Sequence, residues 1–409
     1  MDGRRVGERL HALVSIASPT GSERSAVDLV AGWLGEAADE VDRWTAAMSD
    51  LERDPAYPGR EVERAEVPVV AARVSGSRPG PVVVLTGHVD TVGLGEQDRW
   101  TRDPAGEWEG DLLYGRGAAD MKAGVVAAVE AFAAIAAGDR DFAGEVRLVA
   151  VSGEEDGGTG TLAAIRRGWT GDLVILTEPT SGPDGPQVVT AHGGALTFTI
   201  EVEGRAAHGA TPGEGVSALD GFVTIYRALR DLEDDLAAAE RDPRMAVLAR
   251  PYPTTVGMVR GGSWASNVME RLTADARAGV ALGETVVAAE ERFRTTLLAA
   301  VAGDPWLRAH PPSVTRTGAA FGASSIPDHH PLVDAVRAAA GAVTGTRPAS
   351  VGVPYGCDMA LWTSAGGAAC LVYGPGDIRH AHAADERVSL TETVTVAAAL
   401  EEAVRRVTA

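Results

Sequence analysis

Cysteine is almost missing from this chain. Cys357 and Cys370 are the only two in 409 residues, too few for a disulfide framework and not spaced as a zinc ribbon. A reducing cytoplasm is the expected compartment. Lysine is scarcer still, with Lys122 the single one among 37 basic residues. Those 37 face 57 acidic residues, and the resulting net charge of -20 repels phosphate backbones and anionic membrane surfaces. This argues against a nucleic-acid partner. Long hydrophobic runs are also lacking: the longest, residues 124–138, is interrupted by Glu130 and falls short of the ~20 residues a membrane span needs. The apolar stretch at residues 11–17 reads as one face of an amphipathic helix, not as a signal core. No membrane partner is expected, and no internal repeat or low-complexity tail is visible.

What is present is an ordinary globular composition, 45% hydrophobic and 23% charged, in a chain long enough for two or three domains at roughly 150 residues each. Apolar runs at 81–87, 145–152 and 172–177, with an alanine-rich helix between the first two, predict a largely parallel sheet covered by helices. After the turn at 181–186 the texture changes. Alternating strands at 196–204, 254–262 and 271–280, with helices at 224–240 and from about 285, predict a smaller α+β unit with an antiparallel sheet. From about 306 the helix-and-strand alternation resumes. The expected organisation is an α/β domain over 1–190 and 306–409, with the smaller domain inserted at 191–305.

Three of the apolar runs end in an acid or an imidazole: the first in His88 and Asp90, the second in Glu154 and Glu155, the third in Glu178. A fourth run, CLVYGPG, leads shortly to His380 and His382, and Asp120 immediately precedes the alanine-rich helix. Ligands of open α/β sheets bind beyond the carboxyl ends of the strands, so these residues can converge. Singly, each has an ordinary explanation as a helix cap, a solvated pair or a turn carboxylate. Jointly, their types are those that divalent metals prefer. Asp120, Glu155 and Glu178 with one hydroxide balance two Zn²⁺-like ions, the arrangement that activates water and polarises a carbonyl. Asp90 is then expected to hold the far nitrogen of His88. Spacing leaves His380 and His382 equivalent, since both would face one side of an extended segment.

The stretches GHVDTVG, GRGAADMKAG, SGEEDGGTGT, TEP, GRAAHGATPGEGVSA and GPGDIRHAHAADERVSL, in that order, resemble the di-zinc metallopeptidases and amidohydrolases that include acetylornithine deacetylase, succinyl-diaminopimelate desuccinylase, aminoacylases and glutamate carboxypeptidases. The resemblance implies that His88, Asp120 and Glu178 hold one metal and Asp120, Glu155 and His382 the other, with Glu154 as general base. It also implies that the inserted domain serves as lid and dimerisation domain of a homodimer, His208 reaching the other subunit's active site to bond the developing oxyanion. Asn267 and Arg277 match lid positions that contact substrate, although the proline usual after that arginine is replaced in AGVALGET. The Gly356-Cys357-Asp358 turn and the Gly374-Pro375-Gly376 loop are expected to shape the pocket wall, with Cys357 a buried thiol and Lys122 structural.

The reading is a di-metal hydrolase, with Zn²⁺ or alternatively Co²⁺ or Mn²⁺, that cleaves the amide of an N-acyl amino acid or similarly small amide. Glu178, where some dipeptidases of the family carry aspartate, tilts the choice towards deacylation. The rivals are a dipeptidase or carboxypeptidase of the same family and a non-catalytic metal-bearing binding protein, against which the presence of Glu154 argues. His11, His192, His310, His329 and His330 receive no role.

Overall fold

A computed structural model describes all 409 residues. The chain divides into two compact units, one formed by Met1–Thr190, Ser325–Val351 and Cys357–Ala409, the other by Ala191–Ser324 and Gly352–Gly356. The expected end of the insertion, residue 305, differs from this division for a physical reason. The strand Ser313–Phe321 pairs antiparallel with Gly194–Glu203 and is the fourth strand of the smaller unit's own sheet.

In the larger unit the strands Ala143–Val151, Arg78–His88, Leu173–Leu176 and Ala369–Val372 lie side by side and parallel. Glu40–Ala47 and Glu66–Ser75 extend the sheet antiparallel beyond Ala143–Val151. The central strands are runs of Val, Leu and Ile buried on both faces, as a sheet covered by helices requires. Their register matters for the site. His88 pairs with Val151, Thr86 with Leu176, and Leu176 with Val372. The strands therefore end almost level, and the residues that follow each one emerge at a single edge.

The Ala123–Ala137 helix is buried along nearly its whole length and packs against Gly3–Val14 and Leu390–Val407. Glu130, which breaks its apolar run, is fully buried and held by Arg5 at 2.6 Å and Arg9 at 2.9 Å. No helix is long and apolar enough to cross a membrane.

The smaller unit has a four-stranded antiparallel sheet in the order Thr255–Gly261, Arg271–Val280, Gly194–Glu203, Ser313–Phe321. Gly194–Glu203 alternates buried residues with half-buried or exposed ones, the pattern of a sheet with one face on a core. That core receives the helices Ala218–Ala239 and Val286–Val301, with Phe198 stacked on Phe293 at 4.1 Å between ring centroids.

Candidate metal centre

The level strand ends and two loops bring His88, Asp120, Glu154, Glu155, Glu178 and His382 into one cluster, with Asp90 behind His88 and His380 outside it. His88, the last residue of its strand, is buried, and its Nδ1 donates to the Asp90 main-chain carbonyl at 2.9 Å. That bond fixes the tautomer and leaves the Nε2 lone pair free for a cation. Nε2 lies 3.3 Å from Asp120 Oδ1, 3.6 Å from Glu178 Oε1 and 3.9 Å from Glu154 Oε2. Asp120 turns its other oxygen to His382, with Oδ2 3.4 Å from Nε2, and Glu155 Oε1 is 3.1 Å from the same nitrogen. Asp120 thus stands between the two imidazoles with one oxygen towards each.

His382 is the histidine placed here. His380 closes the short turn Ile378–His380, and His382 follows in the left-handed backbone region at φ 58°. The segment is turned, not extended, which is why the two histidines do not share a direction.

Asp90 does more than the sequence indicated. Its carboxylate faces His88 Nδ1 at 3.5 Å, and it also accepts the main-chain amides of Glu154 at 3.2 Å and Glu155 at 3.1 Å and the hydroxyl of Thr20 at 3.2 Å. It therefore orients the loop carrying the two glutamates as well as the imidazole. Asp120 is not the cap of the helix that follows, whose N-cap position is Lys122. Its loop is held by Glu386, which lies in the stretch GPGDIRHAHAADERVSL and has no role implied by the resemblance. The buried Glu386 carboxylate accepts the amides of Gly117, Ala119 and Asp120 at 2.9 to 3.0 Å and pairs with Arg116 at 2.6 Å. The only available signal was an acid four residues beyond His382. Gly374 is required by close approach, because a Cβ there would meet the main-chain oxygens of Thr177 and Glu178 at 2.2 and 2.4 Å.

Crowding of acids out of water sets the electrostatics. Burial, then neighbouring Glu178, raises Glu154 well above the carboxylate range. Burial pushes Glu178 up to about 8. Hydrogen bonding to Asp120 and Glu155 raises His382 to about 10. These are the responses of a site with more negative charge than its protein groups neutralise. The donor atoms of His88, Asp120 and Glu155 all lie within 4.8 Å of one another, as do those of His88, Glu154 and Glu178. His88 Nε2 and Glu178 Oε1 are buried without a hydrogen-bond partner. Oxygen and imidazole donors, excess negative charge and orphaned buried ligand atoms fit divalent cations.

Asp358 is buried nearby in the same unit, its Oδ2 accepting from the Thr161 hydroxyl, and burial raises it to about 7. Cys357 is buried and burial raises its thiol. Lys122 is buried with Nζ donating to the Ile16 carbonyl at 2.7 Å, and burial lowers it to about 8.

His208, Asn267, Arg277 and Gly356 belong to the smaller unit. His208 and Asn267 are brought together as an antiparallel bridge pair, both exposed. Arg277 is half-buried and donates to the carbonyls of Pro253 at 3.2 Å and Pro354 at 3.5 Å. A Cβ on Gly356 would meet the side chain of Phe321 at 2.5 Å.

Residues 84–406 match the family described as Peptidase family M20/M25/M40, and the chain belongs to that family. It is a metal-dependent hydrolase acting on amide or peptide bonds. Among curated relatives, N-formyl-4-amino-5-aminomethyl-2-methylpyrimidine deformylase of Bacillus subtilis is 26% identical over 410 residues, covering 93% of this chain and 89% of its own. Succinyl-diaminopimelate desuccinylase of Methylobacterium radiotolerans is 35% identical over 228 residues, 53% of each chain. Among solved structures, an M20 family metallo-carboxypeptidase from Sulfolobus solfataricus has a TM-score of 0.76 at 16% identity over 99% of each chain. The di-peptidase Dug1p from Saccharomyces cerevisiae has 0.75 at 13% identity, over 99% of this chain and 96% of its own. These two share the α/β fold.

Proposed function

We propose that this protein hydrolyses the amide of an N-acyl amino acid or a similarly small amide, using two divalent ions, zinc foremost. The observation that carries the reading is the position of Glu154. Itself buried, it lies in the same cluster as the ligand set, 3.9 Å from His88 Nε2, and belongs to neither trio that the family resemblance assigns to a metal. His88, Asp120 and Glu178 would hold one ion and Asp120, Glu155 and His382 the other. When bound, the ions supply Lewis acidity and lower the pKa of water. Glu154 takes the proton of the attacking water and delivers it to the departing amine. Asp90 keeps Glu154 aimed through its main-chain amide.

His208 supplies a hydrogen bond to the developing oxyanion of a partner subunit's substrate. Asn267 and Arg277 receive the substrate's polar groups, and Arg277, bonded only to carbonyl oxygens, suits a carboxylate. Gly356 and Asp358 contribute the pocket wall. A homodimer through the smaller unit is supported by its exposed edge strand Thr255–Gly261, which carries Met258 and Val259, with Trp264 exposed beyond it. Sedimentation of Met258→Glu beside the unmodified protein checks this. The free, buried cysteines support a reducing, cytoplasmic setting.

Deacylation is favoured over peptide cleavage because both named curated relatives bear the names of acyl-removing enzymes. A turnover panel of N-formyl, N-acetyl and N-succinyl amino acids beside dipeptides, with added zinc, cobalt or manganese, tests the proposal. Faster turnover of the acyl amino acids is expected. Exclusive cleavage of dipeptides overturns the deacylase reading, and binding without any turnover overturns catalysis.

A further inference from the structure

His88 and His382 are held in different ways. The ring of His88 is buried and fixed from behind, its Nδ1 donating to the Asp90 carbonyl. The side chain of His382 is 52% exposed, and the contacts of its ring with Asp120 and Glu155 all run through Nε2. A ligating imidazole is ordinarily oriented by a bond to its other nitrogen. Here the main chain has to set the direction.

That main chain has little support of its own. Within residues 382–385 no amide or carbonyl bonds to another main-chain group, and His382 and Asp385, at φ 58° and 55°, are the two non-glycine residues of the chain in the left-handed region. Such a backbone is unfavourable on a residue with a Cβ and persists only where the surroundings over-determine it. Asp385 supplies the constraint. Its Oδ1 accepts the amides of Thr101 at 2.9 Å and Arg102 at 3.2 Å, and its Oδ2 accepts the Thr101 hydroxyl at 2.6 Å. The donating segment is itself anchored, because the Arg102 guanidinium bonds Glu107 at 2.8 Å and Glu109 at 2.5 Å. Glu107–Glu109 pairs with Leu112–Tyr114, which in turn pairs with Arg387–Ser389. The path thus returns to the chain two residues beyond Asp385 and closes a frame around the turn that carries His382.

We infer that Asp385 is a positioning residue for the ion held by Asp120, Glu155 and His382: by gripping Thr101 and Arg102 it keeps His382 Nε2 directed at the other two ligands. The inference rests on the two-ion reading above and goes beyond it by making the ions unequal. The His88 side, fixed by Asp90, does not depend on Asp385.

The test titrates metal-free protein with Co²⁺, followed by visible absorption and calorimetry, in the unmodified chain and in Asp385→Gly, Asp385→Asn and Thr101→Val. His382→Ala, measured in parallel, marks which equivalent belongs to the His382 side. Glycine removes the carboxylate without adding a left-handed penalty. In Asp385→Gly the affinity for the His382-side equivalent is expected to fall about 10–100-fold, the usual effect of losing a group that orients a ligand, while the other equivalent stays unchanged. Thr101→Val, which deletes one of the three bonds at an exposed position, should weaken the same equivalent about threefold. Asparagine keeps an acceptor for the two amides and tolerates the same backbone, so Asp385→Asn should regain most of the affinity. Weakening of both equivalents alike, or of neither, in Asp385→Gly and Thr101→Val overturns the inference and leaves the two-ion reading standing. Asp385→Asn binding as weakly as Asp385→Gly makes negative charge responsible in place of the grip on Thr101 and Arg102, and overturns it too. Fewer than two equivalents in the unmodified protein overturns the two-ion reading and this inference with it.

Discussion

Glu386 Oε1 accepts the main-chain amide of Asp120 at 2.9 Å. The side chain between the two imidazoles is therefore set by a second carboxylate that touches neither. Truncating Glu386 to alanine strands Arg116 and the amides of Gly117, Ala119 and Asp120 out of water. Deleting one partner of a buried ion pair costs about 3–5 kcal/mol, and Glu386→Ala is expected to lose that much by urea denaturation. Glu386→Gln, which keeps an acceptor oxygen, should lose less. A loss under about 1 kcal/mol in the alanine variant would show that the loop stands without it.

Glu154→Gln is expected to retain the metal content of the unmodified protein while turnover falls about 10²–10⁴-fold, the usual contribution of a positioned acid-base group. Elemental analysis and steady-state kinetics on the same preparation separate the two quantities. Metal lost together with activity would make Glu154 a ligand.

Chelation removes the charge that offsets Asp120, Glu155 and Glu178. A ligand held by the folded chain alone, at a hundredfold above its Kd, contributes about 2.7 kcal/mol. Dialysis against a chelator should lower the thermal midpoint, and zinc or cobalt should restore it. An unchanged midpoint would mean that the cluster tolerates its own repulsion.

His192, in the smaller unit, makes stability depend on pH. It is fully buried, its Nδ1 donates to the Gly193 carbonyl at 3.0 Å, and burial lowers it from 6.5 to about 4. Between those values the unfolded chain binds a proton that the folded chain excludes, so stability falls as pH drops from 6.5 towards 4 and is complete above 6.5. The shift corresponds to about 3 kcal/mol. Urea denaturation across that range should show a steeper decline for the unmodified protein than for His192→Gln. Parallel curves would mean that His192 does not titrate between the two states.

The cluster was legible because chemistry in this architecture sits where strands stop. His88 and Glu178 follow an apolar run directly and Glu154 and Glu155 follow one after a single glycine, and the pairings His88 with Val151 and Thr86 with Leu176 carry that linear signal into space. His382 was not legible by spacing, because a left-handed residue after a short turn leaves no periodicity; the family pattern selected it. Contacts made to main-chain amides were illegible for a different reason. Asp90 and Glu386 act on backbone groups, which every residue carries, so no residue type at the receiving end marks them. The strand Ser313–Phe321 was missed because its mostly exposed and half-exposed residues lack the alternation that marked the other strands of its sheet.

The carboxylate of Glu130 gives the alanine-rich helix something its methyl groups do not. Alanine surfaces are nearly smooth, and neighbouring helices could slide along them or rotate with small loss of contact. One acid clasped by Arg5 and Arg9 forbids this, since displacement by a turn would strand an ion in hydrocarbon. The same helix begins three residues after Asp120, so this clasp also fixes how far that aspartate projects between the two imidazoles.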